Sequence, residues 1–121
     1  MTSRITWTCT PCDTPVDDGK GYLSVDLTAV AEHERAWDEL DERKRETGRR
    51  GVTASELADM PEHVTWEAAH TKCVPESNTY DIPIDAVRTH AYVIEQTAHM
   101  MEKSWIGATN WTSVLRWCAL Q

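Results

Sequence analysis

The sequence predicts an α+β domain: a zinc-ribbon-like β-hairpin and a short antiparallel sheet packed with three to four helices, with a C-terminal helical hairpin. Three observations support this fold class. Short β-prone segments bounded by turn residues lie near the N-terminus, apolar residues recur at helical spacing in the last third, and two Cys/His pairs with metal-ligand spacing follow predicted strands. The 121 residues suffice for one core, so we expect a single zinc-stabilised domain over residues 1–121.

The N-terminal hairpin is predicted from two β-prone segments, residues 5–10 (ITWTCT) and residues 21–27 (GYLSVDL). The stretch between them is rich in Pro, Asp and Gly, which favour turns. We therefore expect two paired strands with a metal-binding knuckle at the tip.

Two helices are predicted in the middle of the chain. Residues 29–47 are helix formers with only a thin apolar stripe, so most of that helix should face water, and Gly48 should end it. Thr53 and Glu56 match a capping box, which predicts a short helix that ends at Met60 before a proline.

The C-terminal half predicts two more strands, residues 63–69 and 80–84, followed by the strongest helix in the sequence. Asp85 is the predicted N-cap of that helix, which should run over residues 86–105, and Asn110 is the predicted cap of a final helix. The residues predicted to share the buried face of the longer helix are Val87, Ala91, Ile94, Ala98, Met101 and Trp105, widened by His90, Val93 and Met100.

The charge of the chain limits its partners. Twenty acidic residues against 12 basic ones give a formal net charge of -8, which repels polyphosphate and anionic lipid over most of the surface. Nucleic-acid binding is therefore disfavoured, and no membrane contact is expected. The N-terminal MTSRITWTCT lacks the apolar run of a secretory signal, and no stretch is long enough to span a membrane, so we expect a cytoplasmic protein.

A metal site is predicted from two pairs of residues, Cys9 with Cys12 and His70 with Cys73. In a reducing cytosol, four cysteines are not expected to form two disulfides. Each pair is separated by two residues at a strand end and is followed closely by proline, which is the arrangement that supplies a tetrahedral zinc ion with ligands. Because four protein ligands fill the tetrahedron, the predicted Zn²⁺ is structural.

Other interpretations of these residues stay open. The competing interpretation is that His70 is a surface histidine, that Cys73 is a small buried side chain, and that the CxxC pair occurs by coincidence. A catalytic dithiol is disfavoured because a strand and a proline-rich turn surround the pair. Cys118 is an alternative ligand in place of His70, although its position on an apolar helix face favours burial, and His63 lacks the spacing.

Three further groups of residues are candidates for a function. Glu95, His99 and Glu102 have the spacing of an acid/base group on one helix face, but a solvated polar face is the more common explanation. A basic cluster at a helix C-terminus could bind phosphate or simply complement the helix dipole. Its members are Arg43, Lys44, Arg45, Arg49 and Arg50.

Trp105, Trp111 and Trp117 are spaced six apart, so they cannot share one helix face. Core packing is the usual location of tryptophan, and an exposed one beside Met100 and Met101 would anchor a partner protein.

Three segments carry a resemblance: the WTCTPC knuckle, the middle WEAAHTKCVP and the C-terminal YDIPIDAVRTHAYVIEQTAHMMEKSWIGATNW, together about half of the chain. They resemble a group of small uncharacterised zinc-knuckle proteins of actinobacteria and their phages, whereas residues 28–50 match nothing in that group. The most distinctive residues are His99, Lys103, Trp105, Thr109 and Trp111. The resemblance implies a zinc-bound protein in the cytoplasm of the bacterial host, without catalytic residues to carry over.

Together these observations predict a non-enzymatic, zinc-stabilised interaction or regulatory protein, a phage-encoded modulator or inhibitor of a host protein with a basic surface. One alternative is a nucleic-acid-binding transcriptional regulator that uses the basic cluster. Another is a small enzyme in which His99 acts with Glu95 or Glu102.

Overall fold

The structure, a computed structural model, describes residues 4–48, 51 and 53–121. It confirms the predicted α+β class, with a three-stranded antiparallel sheet, four α-helices and a C-terminal helical hairpin region within that part of the chain. The elements are β1 (Gly21–Asp26), α1 (Leu27–Thr47), α2 (Ala54–Ala58), β2 (Glu67–His70), β3 (Thr79–Pro83), α3 (His90–Met100) and α4 (Trp111–Ala119). Single 3₁₀ turns occur at Thr71–Cys73, Ile84–Val87 and Ile106–Ala108.

β1 is the central strand and pairs antiparallel with β2 on one side and β3 on the other. Leu23 lies opposite Ala68 and Ile82, and all three are buried. The next position, Ser24, lies opposite Glu67 on β2. Because side chains alternate across a strand, one face of the sheet joins the core and the other carries polar groups.

The N-terminal segment differs from the predicted hairpin strand. Residues 5–10 do not pair with β1, because β2 and β3 occupy both of its edges. The chain instead folds back through an isolated bridge between Thr8 and Pro15, and the N–H of Thr10 donates to the carbonyl oxygen of Ala68 (2.9 Å). The segment therefore covers part of the outer edge of β2.

Arg88 fixes this segment to the chain that precedes α3. Its side chain is buried, and its guanidinium donates to the carbonyl oxygens of Ile5 (3.0 Å) and Val16 and to Oδ1 of Asp18 (2.8 Å). In return, the N–H of Ile5 donates to the carbonyl oxygen of Arg88 (2.8 Å). Three acceptors satisfy a charge whose burial would otherwise be costly.

Local capping chemistry sets the ends of α1. The Asp26 carboxylate accepts from the N–H groups of Thr28 (2.9 Å) and Ala29 (3.2 Å), so the helix begins at Leu27, two residues before the predicted start. Gly48 has a φ of 70°, the left-handed conformation common after a helix, and confirms the predicted end.

The short helix and the last two strands were largely predicted. Thr53 and Glu56 form the expected capping box, with reciprocal hydrogen bonds of 3.0 and 3.1 Å, and α2 follows. β3 lies within one residue of its predicted position. β2 is shorter than predicted, because Val64 forms a parallel bridge with Thr109 instead of extending the strand.

The predicted long helix over residues 86–105 is wrong at both ends. Asp85 does not cap it, because its carboxylate accepts from the N–H of Gly19 (2.7 Å) and the chain forms a 3₁₀ turn there. Thr89 is the cap instead, accepting from the N–H of Tyr92 (3.2 Å). α3 consequently has 11 residues, about half the predicted length.

The predicted buried face of that helix is also wrong. Ile94 and Met101 are 70% and 75% exposed, whereas Val93 and Met100, from the row expected only to widen the face, are 4% and 0% exposed. Val87 and Trp105 lie outside α3, so a stripe drawn through them does not describe one helix. The buried face of α3 is therefore the Val93–Met100 side.

Asn110 precedes α4 as predicted but does not cap it with its side chain. Its Oδ1 accepts from the N–H of Trp66 instead (2.8 Å), and its own N–H donates to the carbonyl oxygen of Val64 (2.9 Å). These bonds join the C-terminal helices to the chain leading into β2, and the core lies between them and the Leu23 face of the sheet.

Candidate metal centre

The structure brings all four predicted ligands together. The Sγ atoms of Cys9, Cys12 and Cys73 and one ring nitrogen of His70 lie within 4.8 Å of one another. Three sulfurs and one imidazole at this separation can hold a metal ion. In the described part of the chain, this is the group of His, Cys, Asp and Glu side chains that meets the geometry of such a site.

The first pair of ligands lies on a tight turn. The N–H of Asp13 donates to the carbonyl oxygen of Cys9 (2.8 Å), and the N–H of Cys9 donates to the carbonyl oxygen of Thr14 (2.8 Å). Asp13 has a φ of 57°, a left-handed conformation that aspartate tolerates better than most residues. The turn directs Cys9 inward, where it is buried, and leaves Cys12 exposed.

The second pair repeats this arrangement at the end of β2. His70 is the last residue of the strand, and a 3₁₀ turn carries the chain to Cys73. The N–H of Val74 donates to the carbonyl oxygen of His70 (3.1 Å). This bond joins residue i+4 to residue i, as the bond from Asp13 to Cys9 does in the first turn. The N–H of His70 lies 3.5 Å from the sulfur of Cys9 and joins the two turns directly.

The tautomer of His70 follows from its hydrogen bond to Pro15. Nε2 lies 3.0 Å from the carbonyl oxygen of Pro15, which can only accept, so Nε2 carries a hydrogen. In the neutral ring, Nδ1 then has a free lone pair, and it lies 3.3 Å from the sulfur of Cys12. Metal-bound histidines usually donate their other N–H to such a carbonyl, so the ring is oriented for ligation.

Neighbouring groups favour ionisation of two of the thiols. The hydroxyl of Thr14, 3.1 Å from Sγ of Cys12, lowers the pKa of that thiol to about 6, with a further contribution from Cys9. Burial opposes ionisation of Cys9, but hydrogen bonds from the backbone of His70 and of Cys12 outweigh it and lower its pKa. The thiolate is the form that binds metals.

The other two ligands respond to the same sulfurs. The hydrogen bond with Cys9 raises the pKa of His70, although desolvation opposes the shift. Burial raises the pKa of Cys73, and the sulfurs of Cys9 and Cys12 add to this. Ionisation is therefore favoured at the two thiols of the first turn and disfavoured at Cys73, where a bound cation would favour it.

The alternative ligands lie elsewhere. Cys118 is buried in the core on α4, where burial raises its pKa to about 11, and its carbonyl oxygen lies 2.9 Å from Nε2 of His90. His63 lies beside His33, with ring centroids 5.5 Å apart. Neither belongs to the Cys/His cluster.

The predicted acid/base group is not assembled as expected. Glu95 and His99 line a shallow depression of about 310 Å³ with Tyr80, whose hydroxyl lies 3.3 Å from Nε2 of His99. Glu102 lies beyond the end of α3 and does not line it. Among the described residues, no carboxylate hydrogen-bonds to His99.

The basic cluster is only partly described. Arg43, Lys44 and Arg45 lie in the last turns of α1, where Gly48 donates its N–H toward the carbonyl oxygens of Lys44 and Arg45. Arg49 and Arg50 lie outside the described residues.

The distinctive C-terminal residues build an aromatic cluster around Trp66, which sequence reasoning did not single out. The ring centroid of Trp66 is 5.1 Å from that of Trp111 and 6.3 Å from that of Trp105. Its Nε1 donates to Oγ1 of Thr109 (3.0 Å). His99 and Lys103 meet the cluster at Tyr80, which packs on Trp66 and Trp105.

The third predicted tryptophan, Trp117, is 39% exposed and packs on Trp7 with ring centroids 4.8 Å apart. Trp111 is therefore part of the folded interior, Trp105 is partly buried against the aromatic cluster, and Trp117 contributes to the surface. Of the two methionines considered as anchors, Met100 is buried and Met101 is exposed.

No family model, curated protein or solved structure matches this chain. In the part of the chain that the structure describes, no helix has the length and apolar character needed to cross a membrane.

Proposed function

We propose that this chain is a non-enzymatic interaction protein whose fold is stabilised by one structural zinc ion, and that it modulates or inhibits a protein of the bacterial host. The observation that carries the proposal is the convergence of Cys9, Cys12, His70 and Cys73 within 4.8 Å. Four protein ligands complete a tetrahedron, which is typical of structural zinc.

Zinc is the metal that the donor set favours. Three thiolates and an imidazole are soft to borderline ligands, which prefer Zn²⁺ to Mg²⁺ or Ca²⁺. With zinc–sulfur bonds of about 2.3 Å and zinc–nitrogen bonds of about 2.0 Å, ligand atoms in a tetrahedron are about 3.5–3.8 Å apart. The separations here, 3.3 Å between Cys12 Sγ and His70 Nδ1 and at most 4.8 Å overall, need only small side-chain adjustments.

A zinc ion bound at this site would stabilise the fold. It would join the N-terminal turn to the end of β2 across the 61 positions that separate Cys9 from His70. Ligands that meet only in the native state convert metal affinity into folding free energy. What zinc supplies when bound is therefore a cross-link for a small domain.

Metal analysis tests this part of the proposal. Chain purified without added zinc should carry one equivalent of zinc, measured by inductively coupled plasma mass spectrometry. A metal-free chain that also fails to take up added zinc would contradict it.

The interaction part of the proposal is supported by the charge of the chain. A net charge of -8 would steer the chain toward a basic partner and raise the association rate at low ionic strength. A phage protein of this kind would act by covering a basic surface of the host protein.

A binding experiment tests that part. Immobilised zinc-loaded chain should retain a basic protein from an actinobacterial host lysate, and association with the purified candidate should slow as salt is added. Salt-independent association, or recovery of acidic proteins alone, would contradict the proposed role of charge. Retention of DNA or RNA at moderate salt would favour the nucleic-acid alternative instead.

A further inference from the structure

A groove of about 410 Å³ lies along the outer edge of β2. Two tryptophans that pack on each other, Trp7 and Trp117, line it together with Leu23 from the core face of the sheet. Glu67 and Ala68 of β2 line it as well. The groove is thus partly apolar, with one carboxylate and the edge of a strand.

Within the described ranges, the hydrogen bonds along the outer edge of β2 leave two adjacent backbone groups unpaired, and we call this position the gap. The N–H of Trp66 donates to Oδ1 of Asn110 (2.8 Å), and the carbonyl oxygen of Ala68 accepts from the N–H of Thr10 (2.9 Å). Both groups point away from β1. Since the N–H and C=O of one residue in an antiparallel pair point to the same side, the N–H of Ala68 also points outward. Trp66 lies just before the paired residues, and its C=O is trans to the N–H of Glu67, which faces Ser24, so this C=O points outward as well.

These two groups have no hydrogen-bond partner among the described residues. They are neighbours on the strand edge, and Trp66 and Ala68 are only 5% and 6% exposed. Backbone polar groups of buried residues are nearly always paired, because an unpaired one loses its hydration without gaining a hydrogen bond. The gap therefore fits a ligand that supplies one N–H and one C=O at peptide spacing.

We propose that the groove binds an extended peptide segment of a partner protein, which adds to the edge of β2 and places a basic residue opposite Glu67, flanked by apolar residues. This inference rests on the proposed interaction function and names the chemistry of the partner segment. Main-chain hydrogen bonds to a free strand edge, with side-chain pockets for specificity, are an established mode of peptide recognition.

The geometry of a strand pair gives the sequence preference. The C=O of Trp66 and the N–H of Ala68 flank Glu67. In a parallel strand the residue opposite Glu67 makes both bonds, and in an antiparallel strand its two neighbours make one each, so one peptide residue lies opposite Glu67 in either direction. Its side chain shares the face of Glu67, so a lysine or arginine is favoured there. The neighbouring peptide side chains point to the other face, toward Leu23 and Trp7, and are expected to be apolar.

The bound segment is short. Thr10 and Asn110 already occupy the β2 edge on either side of the gap. About three peptide residues are therefore in register, and we expect a Kd on the order of 10–100 µM for a free peptide.

The test uses terminally blocked heptapeptides with the cores Val-Lys-Val, Leu-Lys-Leu and Tyr-Lys-Tyr, titrated into ¹⁵N-labelled, zinc-loaded chain. We expect saturable shifts of the Ala68 amide and of the indole N–H signals of Trp7 and Trp117, and slower hydrogen exchange at Ala68. N-methylation of the peptide, one amide at a time, should weaken binding about tenfold or more at one position. Absence of saturable shifts with all three cores, or tolerance of every N-methyl group, would overturn the proposal.

Charge reversal tests the register. Glu67→Lys should weaken the Lys-centred peptides about tenfold and strengthen the matching Glu-centred ones, because it exchanges an ion pair for repulsion. Glu95→Lys, an exposed position on α3 outside the groove, is the matched control and should change neither affinity by more than about twofold. If Glu67→Lys kept the wild-type preference for Lys-centred over Glu-centred peptides, a basic peptide residue opposite Glu67 would be ruled out.

Failure of this inference is distinguishable from failure of the proposed function. A chain that binds zinc and a basic host protein but none of the peptides retains its proposed function and loses the peptide groove. A chain that binds the peptides but no zinc keeps the groove and loses the structural zinc.

Discussion

At the scale of single residues, Arg88 contacts a segment that lies far away in the chain. Its guanidinium reaches the carbonyl oxygens of Ile5 and Val16, 83 and 72 positions away, and the carboxylate of Asp18. Removing a buried charged donor leaves its acceptors without their hydrogen bonds. Leaving a buried acceptor without its partner costs about 1–3 kcal/mol.

We therefore expect Arg88→Met, which leaves the carbonyl oxygens of Ile5 and Val16 without this donor, to lower the free energy of unfolding by about 3 kcal/mol, measured by urea denaturation. Arg116→Met, at an exposed position on α4, is the matched control and should stay within about 0.5 kcal/mol of wild type. Equal stability of the two variants would show that the guanidinium does not anchor the N-terminal segment.

Asp18 gives a pH-dependent prediction at the same scale. Hydrogen bonds from Arg4, and then from Arg88, hold the pKa of its carboxyl below the ordinary value. A carboxyl whose pKa is lower in the folded state stabilises the fold above its unfolded pKa, about 3.9, and loses this contribution as the pH falls through the folded pKa.

Asp18→Asn should therefore be less stable than wild type at pH 7, and the difference should vanish in acid well below pH 4, in thermal unfolding followed by circular dichroism. Asp17→Asn, which changes a neighbouring carboxylate with no hydrogen bond to a described group, is the control. A stability difference for Asp18→Asn that is independent of pH would contradict the argument.

These residues also show what the sequence can predict at this scale. The ligands of the metal centre were predicted because two short CxxC-like spacings are local patterns with one common chemical meaning. The role of Arg88 was not predicted, because its acceptors are backbone carbonyl groups of remote residues, which leave no local pattern. The orientation of His70 by Pro15 was missed for the same reason.

At the scale of elements, α3 gives the clearest comparison between a helix predicted from the sequence and the helix in the structure. The apolar spacing through residues 86–105 predicted one long helix with Ile94 in its buried face. Thr89 caps a new helix instead, so the predicted spacing ran through two separate elements, the 3₁₀ turn and α3. The buried positions on α3 are those of Val93 and Met100. Capping competes with periodicity here, and Asp85 and Thr89 are chemically similar enough that the sequence does not decide between them.

The matched pair Met100→Ala and Ile94→Ala checks the assignment. Met100 is fully buried, so its truncation should cost about 2–5 kcal/mol. Ile94 is 70% exposed, so its truncation should cost less than about 0.5 kcal/mol, since alanine also favours helix. If chemical denaturation showed a larger loss of stability for Ile94→Ala than for Met100→Ala, the buried face predicted from the sequence would be the correct one.

The two ligand-bearing turns are tested with a second matched pair. Cys73→Ser should abolish stoichiometric zinc binding and make the melting temperature insensitive to chelator, because it removes one of four ligands. Cys118→Ser should keep one zinc per chain, although a hydroxyl in the core lowers stability. Zinc content in Cys118→Ser that falls as far as in Cys73→Ser would bring Cys118 back as a ligand.

At the scale of the whole molecule, two separate devices hold the N-terminal segment. One is the candidate metal centre, which joins Cys9 and Cys12 to the end of β2. The other comprises Arg88 and the indole of Trp7, whose Nε1 donates to the carbonyl oxygen of Val87 (2.9 Å). Because the second device needs no metal, loss of the ion should open the turns without unfolding the core.

Hydrogen exchange with mass spectrometry should show this difference. After removal of the metal with a chelator, we expect faster exchange in residues 8–15 and 70–74, little change in α3 and α4, and a lower melting temperature. The Arg88→Met variant should respond differently, because it has lost the guanidinium contacts and keeps, besides the metal, only the bond of the Trp7 indole to Val87 and the backbone bond from Ile5 to residue 88. Chelation should then also speed exchange in residues 5–7. Uniform loss of protection in the chelated wild type would mean that the metal holds the whole domain together, as it does in the smallest zinc proteins.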